Sequence, residues 1–106
     1  MKLVTAIVNK EDSKAVCNEL LKAKFYVTRL ATTGGFLMAG NMTLMIGTED
    51  ERVDECIEVL RQRCRQRTEV AMNAIGFGSD STTEPVQVTV GGATVFVTNV
   101  ERMEKL

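Results

Sequence analysis

Helical periodicity occurs in only two segments of this chain, and that scarcity limits what the chain can build. Ala15, Val16, Leu20, Leu21 and Ala23 recur at helical spacing, with Glu11, Lys14, Glu19 and Lys22 directed elsewhere. Val53, Cys56, Ile57, Leu60 and Cys64 trace a second apolar stripe at intervals of three and four. The remaining apolar runs read as strands: residues 2–8, 25–31 and 42–47, a short one over 69–73, a half-buried one over 86–90 and a closing one over 93–97. Asn9 to Ser13 supplies turn and cap residues. Thr48 to Glu51 has capping-box spacing, with Thr48 facing the N3 donor and Glu51 reaching back.

The order strand–helix–strand–loop–strand–helix–strand predicts an α+β, ferredoxin-like βαββαβ fold. Two helices cover one face of a four-stranded sheet. The strands are nevertheless apolar on both faces: Val4, Ala6 and Val8 alternate with Leu3 and Ile7, and Met42, Leu44 and Ile46 with Met45. A second apolar face with no helix to cover it must meet another subunit. A chain of 106 residues fits a single domain over 1–106, small enough for oligomerisation to be a natural supplement.

Between the second and third strands lies Thr32-Thr33-Gly34-Gly35, an apolar tip Phe36-Leu37-Met38, and a second turn at Gly40-Asn41. Such a loop offers backbone N–H groups, hydroxyls and one amide to an anion, with an aromatic beside them to cover a flat ring. A solvent-facing turn gains nothing from the exposed tip. Residues 32–41 are therefore expected to form a ligand loop, and residues 74–85, rich in Gly, Ser and Thr, a mobile one.

Leu30-Ala-Thr-Thr-Gly-Gly-Phe-Leu37, Ala39-Gly-Asn41 and Val90-Gly-Gly-Ala-Thr-Val-Phe-Val97 together resemble the PII-like receptors of the second messenger cyclic di-AMP. Met1-Lys-Leu-Val-Thr-Ala-Ile-Val8 and Glu49-Asp-Glu-Arg-Val-Asp-Glu55 fit that family too, so the resemblance covers nearly the whole chain. It implies a homotrimer whose sheets face a central core and whose clefts between subunits hold cyclic di-AMP. It also implies ligand contacts at Tyr26, Thr28, Gly35, Phe36, Leu37, Asn41, Gly47 and Phe96. In those roles Phe36 and Phe96 pack on adenine faces, Leu37 closes the base off from water, and Asn41 reads an adenine edge. Thr28 and the loop N–H groups donate to the phosphates, and Gly47 leaves room for the ring. Tyr26 stands where these receptors usually carry Arg and Met38 where Lys or Arg is common, which leaves Arg29 as the cation nearby.

Composition narrows the alternatives. The chain has no histidine, which removes imidazole acid–base chemistry and imidazole metal ligation. Cys17, Cys56 and Cys64 lie on the helical stripes without Cys-x-x-Cys spacing and read as buried free thiols of a reducing cytoplasm. The acidic set from Glu49 to Glu58 opens a helix and complements its dipole, and the arginines from Arg61 to Arg67 suit the other end. A net charge of −1 does not suit a nucleic-acid polymer or a membrane surface. No apolar run approaches the roughly 18 residues that span a bilayer, and the N-terminal stretch is too soon polar for a secretory signal. The expectation is a cytoplasmic signalling protein, not an enzyme, with no cofactor or metal and with a downstream protein partner. Two alternatives stay open: a PII-like sensor of another nucleotide or anion, and a small trimeric enzyme or metal-tolerance protein of the same fold.

Overall fold

The computed structural model describes residues 1–31, 40–71 and 86–106. Strand β1 (Lys2–Asn9) leads into helix α1 (Lys10–Lys22), followed by β2 (Tyr26–Ala31) and β3 (Asn41–Thr48). A 3-10 turn (Asp50–Arg52) opens helix α2 (Val53–Arg63), and β4 (Arg67–Ala71), β5 (Val86–Val90) and β6 (Ala93–Asn99) complete the order. One sheet runs β2-β3-β1-β6 with every pair antiparallel, which is the expected ferredoxin-like arrangement. The expected strands on either side of Gly91-Gly92 both form, but they belong to different sheets. β5 pairs with β4 in a separate two-stranded ribbon, while β6 joins β1.

The core lies between the sheet and the two helices. Val4, Ala6, Val8, Leu44 and Ile46 from one sheet face meet Val16, Cys17 and Leu20 of α1 and Cys56 and Leu60 of α2, all of them buried. The buried stripe of α1 is Ser13, Val16, Cys17 and Leu20. Ala15 is exposed and Leu21 is 55% exposed, so the stripe is rotated from the expected one. Ser13 is tolerated inside because its hydroxyl donates to the Lys10 carbonyl at 3.0 Å. Asn9 caps the helix, its side-chain oxygen accepting from the Glu11 N–H at 2.8 Å.

The expected capping box at α2 does not form. Thr48 is the last residue of β3, buried and paired with Lys2, and neither Glu49 nor Arg52 makes a side-chain capping bond. Strand alternation claims Thr48 before the helix begins. All three cysteines are free and buried, as expected of small hydrophobes. Burial raises the Cys17 thiol and pushes Cys56 and Cys64 up to about 11. Two of the expected helix-end arginines reach beyond α2, Arg63 to Glu19 at 3.0 Å and Arg67 to Asp12.

Candidate functional site

Alternation along the strands decides which side chains share the helix-free face. Register places Thr28, Met45, Thr5 and Phe96 in one row across all four strands of the sheet. A second row is Tyr26, Gly47, Leu3 and Thr98, and a third is Leu30, Thr43, Ile7 and Thr94. On this face Tyr26 is 85% exposed, Phe96 51% and Leu30 40%. Four of the expected ligand contacts, Tyr26, Thr28, Gly47 and Phe96, therefore stand on a single surface.

A cavity of about 760 Å³ forms where this face meets the C-terminal tail. Its floor is Leu3, Tyr26, Thr28, Met45 and Gly47. One wall is the turn at Lys24 and Phe25 with Thr48, Glu49 and Arg52, and the other is Val100, Met103 and Lys105 of the tail. The tail is held there in part by the Val100 N–H, which donates to the Met1 carbonyl at 3.2 Å. A β-carbon on Gly47 would meet nothing within 4 Å. Packing does not demand glycine at that position. The bare backbone leaves an open patch between Tyr26 and Leu3 that a flat ring can approach.

The charged groups of the cavity come from outside the sheet. Arg52 is held firmly: its Nη2 donates to the Ala23 carbonyl at 2.7 Å and its Nε to Glu55 at 3.0 Å. The same guanidinium stacks over the Phe25 ring, 4.0 Å from the centroid. Lys24 and Lys105 bring two further cations, against one lining carboxylate, Glu49. Beside it Asp50 takes the Met1 ammonium at 2.9 Å, and that hydrogen bond holds its carboxyl below the ordinary value.

Asn41 is not in this cavity. It begins β3, six residues from Gly47 and so about 20 Å away along the strand. There it lines a second cavity of about 360 Å³ with Ile7, Asn9, Gln66, Gly91, Gly92, Ala93 and Thr94. Gly91 has φ +85°, and a β-carbon on it would sit 2.4 Å from the Arg65 carbonyl oxygen, so only glycine fits. The two motifs around Asn41 and Gly91, fifty residues apart in sequence, thus converge at one end of the sheet. Phe96 lies midway along β6, in the row of Thr28 and three strand spacings, about 14 Å, from it.

Gly35, Phe36 and Leu37, with Met38, lie outside the described residues, as does the expected mobile loop over 74–85. Arg29 is on the helix side of the sheet, paired with Leu44, and lines a pocket with Lys14 and Cys17. It cannot serve a ligand on the face of Thr28 and Tyr26. Sequence reasoning missed Lys24, Arg52, Met103 and Lys105, because only the turn and the returning tail bring them to the floor residues. Among the described residues there is no group of three or more metal-ligating side chains, and no helix long and apolar enough to cross a membrane.

A family model described as the cyclic-di-AMP receptor matches residues 1–106, the whole chain. The chain is also similar to a solved structure, a functionally unknown protein from Pediococcus pentosaceus ATCC 25745. The two are 38% identical with a TM-score of 0.76, over 99% of this chain and 96% of that one.

Proposed function

Since this chain belongs to the cyclic-di-AMP receptor family, and is a signalling protein that binds cyclic di-AMP, we propose that it does so as a homotrimer with the ligand between subunits. The observation that carries this reading is the floor of the larger cavity: Tyr26, Thr28 and bare Gly47 side by side on the helix-free face. A phenol ring and an open glycine patch suit an adenine, and the Thr28 hydroxyl suits a phosphate oxygen. The volume of about 760 Å³ is in the range of small-molecule sites.

Two features support assembly into an oligomer, and the resemblance to PII-like receptors makes that oligomer a trimer. Tyr26, Leu30 and Phe96 leave apolar surface exposed on a face that no helix covers. Asn41 and Gly47 are also too far apart on one chain to touch the same base, so a second copy must supply one of them if both serve one base. In this reading Gly35, Phe36 and Leu37 are also ligand contacts, and Phe96 contacts the base from β6. The protein then acts without catalysis, by presenting ligand-dependent loops to a protein partner in the cytoplasm.

Calorimetry and light scattering on the same sample test this. Cyclic di-AMP is expected to bind in preference to cyclic di-GMP and ATP, at one site per chain, to a particle three times the 11.7 kDa chain mass. Thr28→Val removes the hydroxyl while keeping the shape and should weaken binding about tenfold. A wild-type protein that is monomeric and gives no heat with cyclic di-AMP would overturn the reading.

A further inference from the structure

Lys24 is the only non-glycine with positive φ among the described residues, at +70°. It follows α1 at the position where helices usually place glycine, because a β-carbon makes the left-handed conformation costly there. The turn is fixed from several sides. The Phe25 N–H donates to the Leu20 carbonyl and the Lys24 N–H to the Leu21 carbonyl, each at 2.9 Å. Phe25 is buried at 2% exposure beneath the Arg52 guanidinium, and Arg52 also takes the Ala23 carbonyl. Strain of this kind persists where the surroundings over-determine it, and it clusters at functional sites.

Among the described residues the Lys24 side chain holds nothing in the fold. It is exposed, and among the described residues no ion pair or side-chain hydrogen bond engages its ammonium. It stands instead on the wall of the Tyr26 cavity, whose described lining residues carry three cationic side chains and one carboxylate in a chain of net charge −1. Of those cations Arg52 is already committed to Glu55 and the Ala23 carbonyl. Tyr26, two residues further on, offers one neutral donor.

We propose that Lys24 is the residue that pairs with a phosphodiester of the bound cyclic dinucleotide, and that the chain tolerates a strained helix terminus in order to place it. The inference rests on the reading of the cavity as the cyclic di-AMP site. The Arg52 clamp is the positioning device: it fixes Ala23 and Phe25 on either side of Lys24, so the ammonium swings on its stem from a rigid base. Lys24 then sets affinity and salt dependence, while the floor residues set which base is accepted.

Two substitutions separate charge from backbone. Lys24→Gly should raise the melting temperature by about 2–5 °C, by relieving the left-handed β-carbon, and weaken cyclic di-AMP binding about tenfold or more. Lys24→Gln keeps the stem and the backbone cost, and should weaken binding alike without the gain in melting temperature. Both should flatten the dependence of affinity on salt, and Lys24→Arg should restore affinity and slope. If Lys24→Gln binds as wild type with an unchanged salt slope, the proposal fails while the cavity reading stands. A wild-type protein that binds no cyclic di-AMP brings down both.

Discussion

Arg67 at the start of β4 forks onto Asp12 of α1, with Nη1 3.3 Å from Oδ2 and Nη2 3.3 Å from Oδ1. A third bond runs from Nη1 to the Arg65 carbonyl at 3.2 Å, so one guanidinium ties the β4–β5 ribbon to the first helix. Asp12→Ala should lower the unfolding free energy by about 1–2 kcal/mol, less than a fully buried pair because Arg67 is one-third exposed. Hydrogen exchange should rise in residues 67–71 and 86–90 before it rises in the main sheet. Unchanged exchange there would mean that the ribbon is anchored by other contacts.

Leu44 and Met45 are neighbours on β3 and face opposite ways, Leu44 fully buried against the helices and Met45 on the helix-free face. A carboxylate at the first position is buried without a partner, and Leu44→Glu should abolish folding, since an uncompensated charge costs several kcal/mol. In the proposed trimer, Met45→Glu should leave a folded chain by circular dichroism while light scattering falls to the monomer mass. If Met45→Glu assembles as wild type, the subunit contact lies elsewhere.

How far the sequence foretold these outcomes follows from which interactions are local. The stripe of α2 and the alternation of β1 and β3 are short-range repeats, and they give the sheet, its two faces and the floor of the site. The same alternation sends Arg29 to the face opposite Thr28, although proximity in sequence argued otherwise. On α1 a count of apolar residues passes over Ser13, whose burial depends on a bond to the Lys10 carbonyl. Lys24, Arg52 and Lys105 were not legible as site residues. One depends on a backbone conformation, one on a contact with Ala23 and Phe25, and one on where the tail returns.

Cys56 and Cys64 ionise at about 11 in the folded chain, above the ordinary thiol value near 8.5–9 in the unfolded one, because burial disfavours the thiolate. A raised folded value means that the stabilisation is fully present below pH 8.5 and is lost as pH climbs toward 11. Denaturant titrations from pH 8 to 11 should show a decline on the order of 2 kcal/mol per thiol. Cys56→Ala should remove its share of that slope. A slope untouched by the substitution would assign the decline to other groups.

Tyr26 offers the ligand one neutral hydroxyl and an aromatic face. Tyr26→Arg adds a fork of charged donors on the cavity floor and should tighten cyclic di-AMP binding about tenfold or more, with a steeper salt dependence. The measurement is a calorimetric titration at two ionic strengths. Affinity unchanged or reduced at both would mean that the phosphates do not pass this residue and that the phenol serves the base alone.

Because β1 and β6 run antiparallel with Lys2 opposite Asn99, Met1 and the tail from Val100 to Lys105 border the same cavity. An affinity tag or fusion partner at either end of the chain would stand over Tyr26 and compete with whatever enters. A small environment-sensitive fluorophore in the same place would instead turn the cavity into its own reporter, brightening or dimming with occupancy.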